Sequence, residues 1–146
     1  MTPIAFHLQV SDKLTYTCRL LRKAVSSGAR LAVTGPPAVL AQLDHDLWAF
    51  SSTDFVPHCR GDAPQRVQQR SAVVLTPDIG ALAMPRHESV LVNLGPEVPP
   101  GFAAFARVIE VVSEDATDVQ QARQRWRHYA SVGCDPTKFD LGRGPE

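Results

Sequence analysis

"ARLAVTG", residues 29–35, decides the fold. Leu31, Ala32 and Val33 follow one another without a polar break, the pattern of a short strand covered on both faces. Upstream, "PIAFHLQV", residues 3–10, is strongly apolar and reads as another strand. Between them Asp12 opens a segment with Leu14, Cys18, Leu21 and Val25 at helical spacing, and Gly28 stands where a helix-ending glycine belongs. Strand, helix and strand are complete by residue 35. A parallel pair needs such a crossover, so a parallel sheet is expected.

The same pattern continues downstream. "PPAVLAQLDHDLWAF", residues 36–50, opens on prolines, whose missing N–H costs least at a helix start, and sets Leu40, Leu43 and Leu47 on one face. Residues 51–71 are polar, punctuated by Gly61 and Pro64, and read as a long loop anchored only at "FVPH". "SAVVLTP", "SVLVNLG" and "RVIEVVS" resume the buried-strand pattern. "DIGALAMPRHE", residues 78–88, reads as a loop or one helical turn between the first two of these strands. "EDATDVQQARQRWRHYASVG", residues 114–133, is the clearest helix, with Val119, Ala122, Trp126, Tyr129 and Val132 at intervals of three and four. "DLGRGPE" reads as a frayed tail from about residue 140. The order β-α-β-α-β-β-β-α predicts one domain over residues 1–146, a three-layer α/β/α fold with a mainly parallel sheet.

Composition narrows the function. The 15 Lys+Arg balance 15 Asp+Glu, so general nucleic-acid affinity, which draws on surplus positive charge, is not expected. No apolar run reaches the ~20 residues needed to cross a bilayer, and the first residues lack the pattern of a signal peptide. A cytoplasmic location without membrane attachment is expected. Cys18, Cys59 and Cys134 are odd in number and widely spaced, which suggests free thiols.

The strand-end loops, where α/β sheets usually hold ligands, offer little chemistry. "TGPP", residues 34–37, has one glycine and no lysine, so it cannot cradle a phosphate as a P-loop does. His58 and Cys59 are adjacent, but neighbours on an extended chain point apart. His45 and Asp46 suit a polar helix face, and His87 and Glu88 have no evident third partner. No catalytic residue, metal set or cofactor site is expected. The final helix is different. Arg123 and Arg127, four residues apart, form a row beside the apolar stripe containing Ala122 and Trp126. Arginine forks grip carboxylates with paired hydrogen bonds, and a neighbouring aromatic can pack against an apolar side chain, so an acidic peptide ending in a bulky apolar residue would satisfy both.

Two blocks, "LDHDLWAFSSTDFVPH" at residues 43–58 and "ARQRWRHYASVG" at 122–133, closely resemble the chi subunit of bacterial DNA polymerase III. The resemblance implies a nucleotide-binding type of fold without a P-loop, and a non-catalytic accessory subunit of the clamp-loader assembly. It implies a bridge between the psi subunit and the acidic C-terminal tail of single-stranded DNA-binding protein, with DNA contacted only indirectly. A repair helicase is a further implied partner in place of psi. By position, Arg123, Trp126 and Arg127 are the residues implied for the tail, with Trp126 where the family carries a tyrosine. Phe55, Val56 and Pro57 form an apolar spot that either folds onto the core or meets psi. Cys134 stands where an apolar or aromatic residue of the family lines the peptide pocket. Two other classes remain open on the sequence: a direct single-stranded nucleic-acid binder using the same three residues, and a small α/β enzyme.

Overall fold

The computed structural model describes residues 1–49 and 56–141. Among these described residues seven strands form one sheet in which every neighbouring pair is parallel. In chain order they are β1 (Ile4–Val10), β2 (Arg30–Thr34), β3 (His58–Arg60), β4 (Val73–Leu75), β5 (Ser89–Asn93), β6 (Arg107–Ser113) and β7 (Thr137–Asp140). Across the sheet the order is β3-β4-β2-β5-β6-β1-β7. The helices are α1 (Lys13–Ser26), α2 (Pro37–Ala49), α3 (Gln65–Arg70) and α4 (Ala116–Ser131).

"ARLAVTG" occupies the position its composition demands. β2 lies between β4 and β5, with Ala32 beside both Val74 and Leu91. Side chains alternate across a strand, so this register builds two cores. Leu31, Val33, Val73 and Leu75 face α1 and α2, where Cys18, Leu21, Leu40, Leu43 and Leu47 meet them. Ala32, Val74, Leu91 and Val108 face the other way, toward Ala122 and Tyr129 of α4. The expected three-layer α/β/α fold with a parallel sheet is therefore observed.

Both long helices are held by local chemistry. Asp12 caps α1, its Oδ1 accepting from the Thr15 amide at 3.1 Å, and Gly28 beyond the helix end adopts φ +87°, which a side chain would resist. Asp115 caps α4 by accepting from the Asp118 amide at 3.1 Å.

Three elements differ from the sequence reading. The stretch read as one long loop contains the edge strand β3 and the six-residue α3. Beyond α4 the chain adds β7 on the opposite edge before the tail read as frayed, whose residues 142–146 lie outside the described residues. "DIGALAMPRHE" forms two single 3-10 turns, Ile79–Ala81 and Arg86–Glu88.

Candidate functional site

The site begins with a charge inside an apolar strand. In "RVIEVVS" the alternation that sends Val108 and Val112 toward α4 sends Glu110 there too, fully buried. A buried carboxylate needs partners, and α4 provides them. Arg125 Nε donates to Glu110 Oε1 at 2.9 Å and Tyr129 Oη donates to Oε2 at 2.6 Å. Asn93 Nδ2 reaches both carboxylate oxygens, at 3.1 and 3.0 Å. Arg125 also donates from Nη1 to the Pro96 carbonyl at 3.1 Å, and its side chain is only 2% exposed. Burial raises the Glu110 pKa above the usual carboxylate range, against the opposing charge of Arg125 and the Tyr129 and Asn93 hydrogen bonds. Burial, then the Glu110 charge, also raises the pKa of Tyr129.

This network fixes how α4 is rotated about its axis. Arg125 and Tyr129 point inward, so Arg123 and Arg127 are left exposed on the side toward β1 and β7, with Trp126 half-buried between them. Trp126 rests on Phe6 of β1, ring centroids 5.0 Å apart, and Phe6 meets Tyr129 edge-on at 5.9 Å. The N-terminal end of α4 is tied down as well. Asp118 Oδ2 accepts from the Ser113 amide and hydroxyl, both at 2.8 Å, and from Lys13 Nζ at 3.1 Å. Partial burial raises its pKa, but those hydrogen bonds and the Lys13 charge outweigh it and leave the pKa lowered. A lowered folded value means stability present above the unfolded pKa and lost as pH falls through the folded one. Asp118→Asn should cost about 1–2 kcal/mol at neutral pH, with the gap to wild type closing on acidification in urea titrations.

Arg123, Trp126 and Arg127 thus meet in one cleft of about 500 Å³. Phe6 and Leu8 of β1 and Val112 of β6 form its floor; Val119 and Ala122 continue the α4 wall; Gln9 and Lys138 stand opposite. Gln9 holds a left-handed backbone, φ +58°, where the pairing of β1 with β6 shifts between His7 and Val10. The cleft lining carries three permanent cations and no carboxylate, although the chain as a whole is neutral. Such a surface can bind an anion and bury an apolar group at the same time. Cys134 does not belong to it. The thiol packs in the α4 core and borders a separate cavity with Met1, Phe102 and Val132.

The other candidate residues disperse. Phe55 lies outside the described residues. Val56 is 2% exposed in the core shared with α1 and α2, so as an exposed partner contact it is corrected: its apolar side chain is already covered. Pro57 beside it is exposed. The His58 side chain is covered, its Nε2 2.9 Å from Asp44 Oδ1 and its Nδ1 2.7 Å from the Val56 carbonyl, so it ties α2 to β3. Trp48 is 63% exposed and lies against the His58 ring at 5.2 Å between centroids. Arg125, which stands between Arg123 and Arg127 in the sequence, is buried. Its signal was Glu110, a lone carboxylate in an otherwise apolar strand. Lys138 was missed together with its strand.

At "TGPP" the glycine answers to packing, since a Cβ on Gly35 would lie 3.2 Å from Leu94 Cβ. A cleft of about 440 Å³ does open there, at the strand ends, bordered by Asp78, Glu97 and several prolines. Among its polar groups Asp78 accepts from the Gly80 amide and Asn93 is committed to Glu110. Among the described residues no cluster of three or more His, Cys, Asp or Glu could hold a metal ion, and no helix is long and apolar enough to cross a membrane.

Residues 1–137 match the family described as DNA polymerase III chi subunit, HolC. A DNA polymerase III subunit chi from Pseudomonas aeruginosa is 30% identical over 138 residues, covering 91% of this chain and 92% of its own. Another from Haemophilus influenzae is 25% identical over 127 residues, covering 86% and 85%. With the family match spanning both the α2 block and the α4 block, the chain belongs to the DNA polymerase III chi subunit family.

Proposed function

We propose that this chain, acting as one α/β domain, is a non-catalytic accessory subunit of the polymerase III clamp-loader assembly. It bridges the psi subunit and the acidic C-terminal tail of single-stranded DNA-binding protein. The observation that carries this reading is the α4 cleft, whose lining holds Arg123, Arg127 and Lys138 above an apolar floor with no acidic residue. The arginines take carboxylates of the tail, and its apolar last residue packs on Trp126 and Phe6.

For psi the exposed Trp48 is the better anchor, with Pro57 beside the buried Val56 as its border. An exposed tryptophan is the residue type most often found at the energetic centre of an interface. Helix α2 covers the sheet face opposite α4, so the two partners would not compete for space. That arrangement suits a bridge.

The test is fluorescence anisotropy of a labelled acidic peptide ending in Asp-Phe, titrated with wild type and Arg123→Ala at low and moderate salt. Saturable binding is expected, weakened about fivefold by the substitution and further by salt, because exposed ion pairs contribute roughly 0–1 kcal/mol each and are screened. Equal affinity of the two proteins, or negligible binding by both, would overturn the assignment of the tail to this cleft.

A further inference from the structure

We infer that the cleft at the carboxyl ends of β2, β4 and β5 takes the guanidinium of an arginine side chain presented by a partner polypeptide, held by Asp78, Glu97 and the Thr34 hydroxyl. The cleft shares no lining residue with the α4 site.

Its place in the fold is the usual one for a ligand. From β2 the chain leaves through α2 toward β3, and from the neighbouring β5 it leaves toward β6 on the other side. Where adjacent parallel strands send their connections in opposite directions, a crevice opens beyond their carboxyl ends. Gly35 and Gly95 follow the two strands, and a Cβ on Gly95 would lie 3.4 Å from the Gly35 Cα, so the two backbones meet with no side chain between them.

The lining has the reverse polarity of a phosphate site. Phosphate-binding folds aim the N–H groups of a helix start at this point. Here Pro36 and Pro37 lead into α2 and have no N–H to offer. Two carboxylates border the cleft, with no Lys, Arg or His among its lining residues. Asp78 Oδ1 accepts from the Gly80 amide at 2.9 Å, and among the described residues neither Asp78 nor Glu97 forms an ion pair. Arg86 is spent on the Gly80 carbonyl at 2.9 Å. The loop that carries Glu97 is held from beneath, because Asn93 Nδ2 donates to the Glu97 carbonyl at 3.0 Å and Arg125 Nη1 to that of Pro96 at 3.1 Å.

Thr34 gives an independent sign of a ligand. It is 6% exposed and lines the cleft in register with Asn93, yet among the described residues its hydroxyl has no hydrogen-bond partner. A hydroxyl so deeply placed normally has one. Asn93 beside it is fully engaged, its Oδ1 accepting from the Gly95 amide at 2.9 Å. Three acceptors on three separate segments, with proline walls between them, match a guanidinium, which is planar, carries five N–H donors and is weakly enough hydrated to lie on apolar surface. An ammonium or a divalent ion holds its water more tightly and gains less from proline. A free amino acid would bring an α-carboxylate, and the lining offers no cation to meet it. An arginine within a chain carries no such charge.

The test is amide chemical-shift titration of the nitrogen-15-labelled full chain with arginine blocked as an amide at both ends. Blocked lysine, free arginine and calcium chloride are the comparators at matched ionic strength. Blocked arginine is expected to give saturable shifts, in the millimolar range, at Thr34, Gly35, Asp78, Gly95 and Glu97. Blocked lysine should bind about threefold more weakly or worse. Glu97→Gln and Thr34→Val, checked for folding by thermal midpoint, should each weaken blocked arginine about two- to threefold. Glu97 is exposed, so Glu97→Gln decides the matter even where Thr34→Val does not fold. The inference is overturned by absence of saturable shifts at these amides, or by equal affinity of wild type and Glu97→Gln. Blocked lysine or calcium moving the same amides at equal or lower concentration overturns the guanidinium, and tighter binding of free arginine than of the blocked form overturns the polypeptide source.

Discussion

An Arg125→Ala variant is expected to lose about 3–5 kcal/mol of unfolding free energy, more than any exposed arginine on the same helix. The reason is what the substitution leaves behind. Glu110 is buried with three partners among the described residues, and removing Arg125 strips it of the ion-pair partner while Tyr129 and Asn93 remain. The carboxyl pKa, already raised by burial, rises further. A raised folded pKa means that the native state holds a proton which the unfolded state has released. Stability is therefore lost as pH rises toward the folded value and regained as pH falls toward the unfolded one. The deficit of Arg125→Ala should narrow as pH is lowered from neutrality, measured as urea midpoints against wild type. Replacing the pair together, Glu110→Leu with Arg125→Met, should recover much of the loss, because two apolar side chains need no compensation for desolvation. A single variant within about 1 kcal/mol of wild type would show that the pair does not hold α4.

The second large effect belongs to the cleft floor. Phe6→Ala removes a ring that is 1% exposed and touches both Trp126 and Tyr129, so about 3–5 kcal/mol should be lost in the same denaturation assay. Trp126 then loses the surface on which it rests, and the cleft loses its base. Phe6→Leu keeps most of the volume. It should cost less than about 2 kcal/mol and remain folded, which allows peptide affinity to be read separately. An unchanged affinity in Phe6→Leu would remove the floor from the binding argument and leave the wall cations to carry it.

Much of this arrangement was legible in the amino-acid order because burial writes itself as periodicity. "ARLAVTG" and "RVIEVVS" are covered on both faces and read as unbroken apolar runs, and Leu40, Leu43 and Leu47 mark one face of α2. Edge strands leave no such record. β3 has three residues, all half-buried, and β7 is exposed along most of its length, so neither presents a pattern distinct from a loop. Missing β7 meant missing Lys138. The helix rule that located Arg123 and Arg127 could not show that Arg125 points inward, because long cationic side chains normally mark a solvated face. Trp48 is hard to place for the opposite reason. An indole one residue beyond the Leu47 stripe looks like core by composition, and only the packing of α2 shows that it projects outward.

The position of β1 within the sheet has a consequence for synthesis. Its only strand neighbours are β6 and β7, encoded about a hundred residues later. β1 therefore has to wait, unpaired, until β6 and β7 have followed it. Contacts closed over so long a loop form late, because the entropy of closure comes before any reward from pairing. The cleft floor comes from β1 and β6 and its walls from α4, β1 and β7, so a growing chain holds no partial version of it. The complete cleft would then arrive in one step, once β7 has joined the sheet.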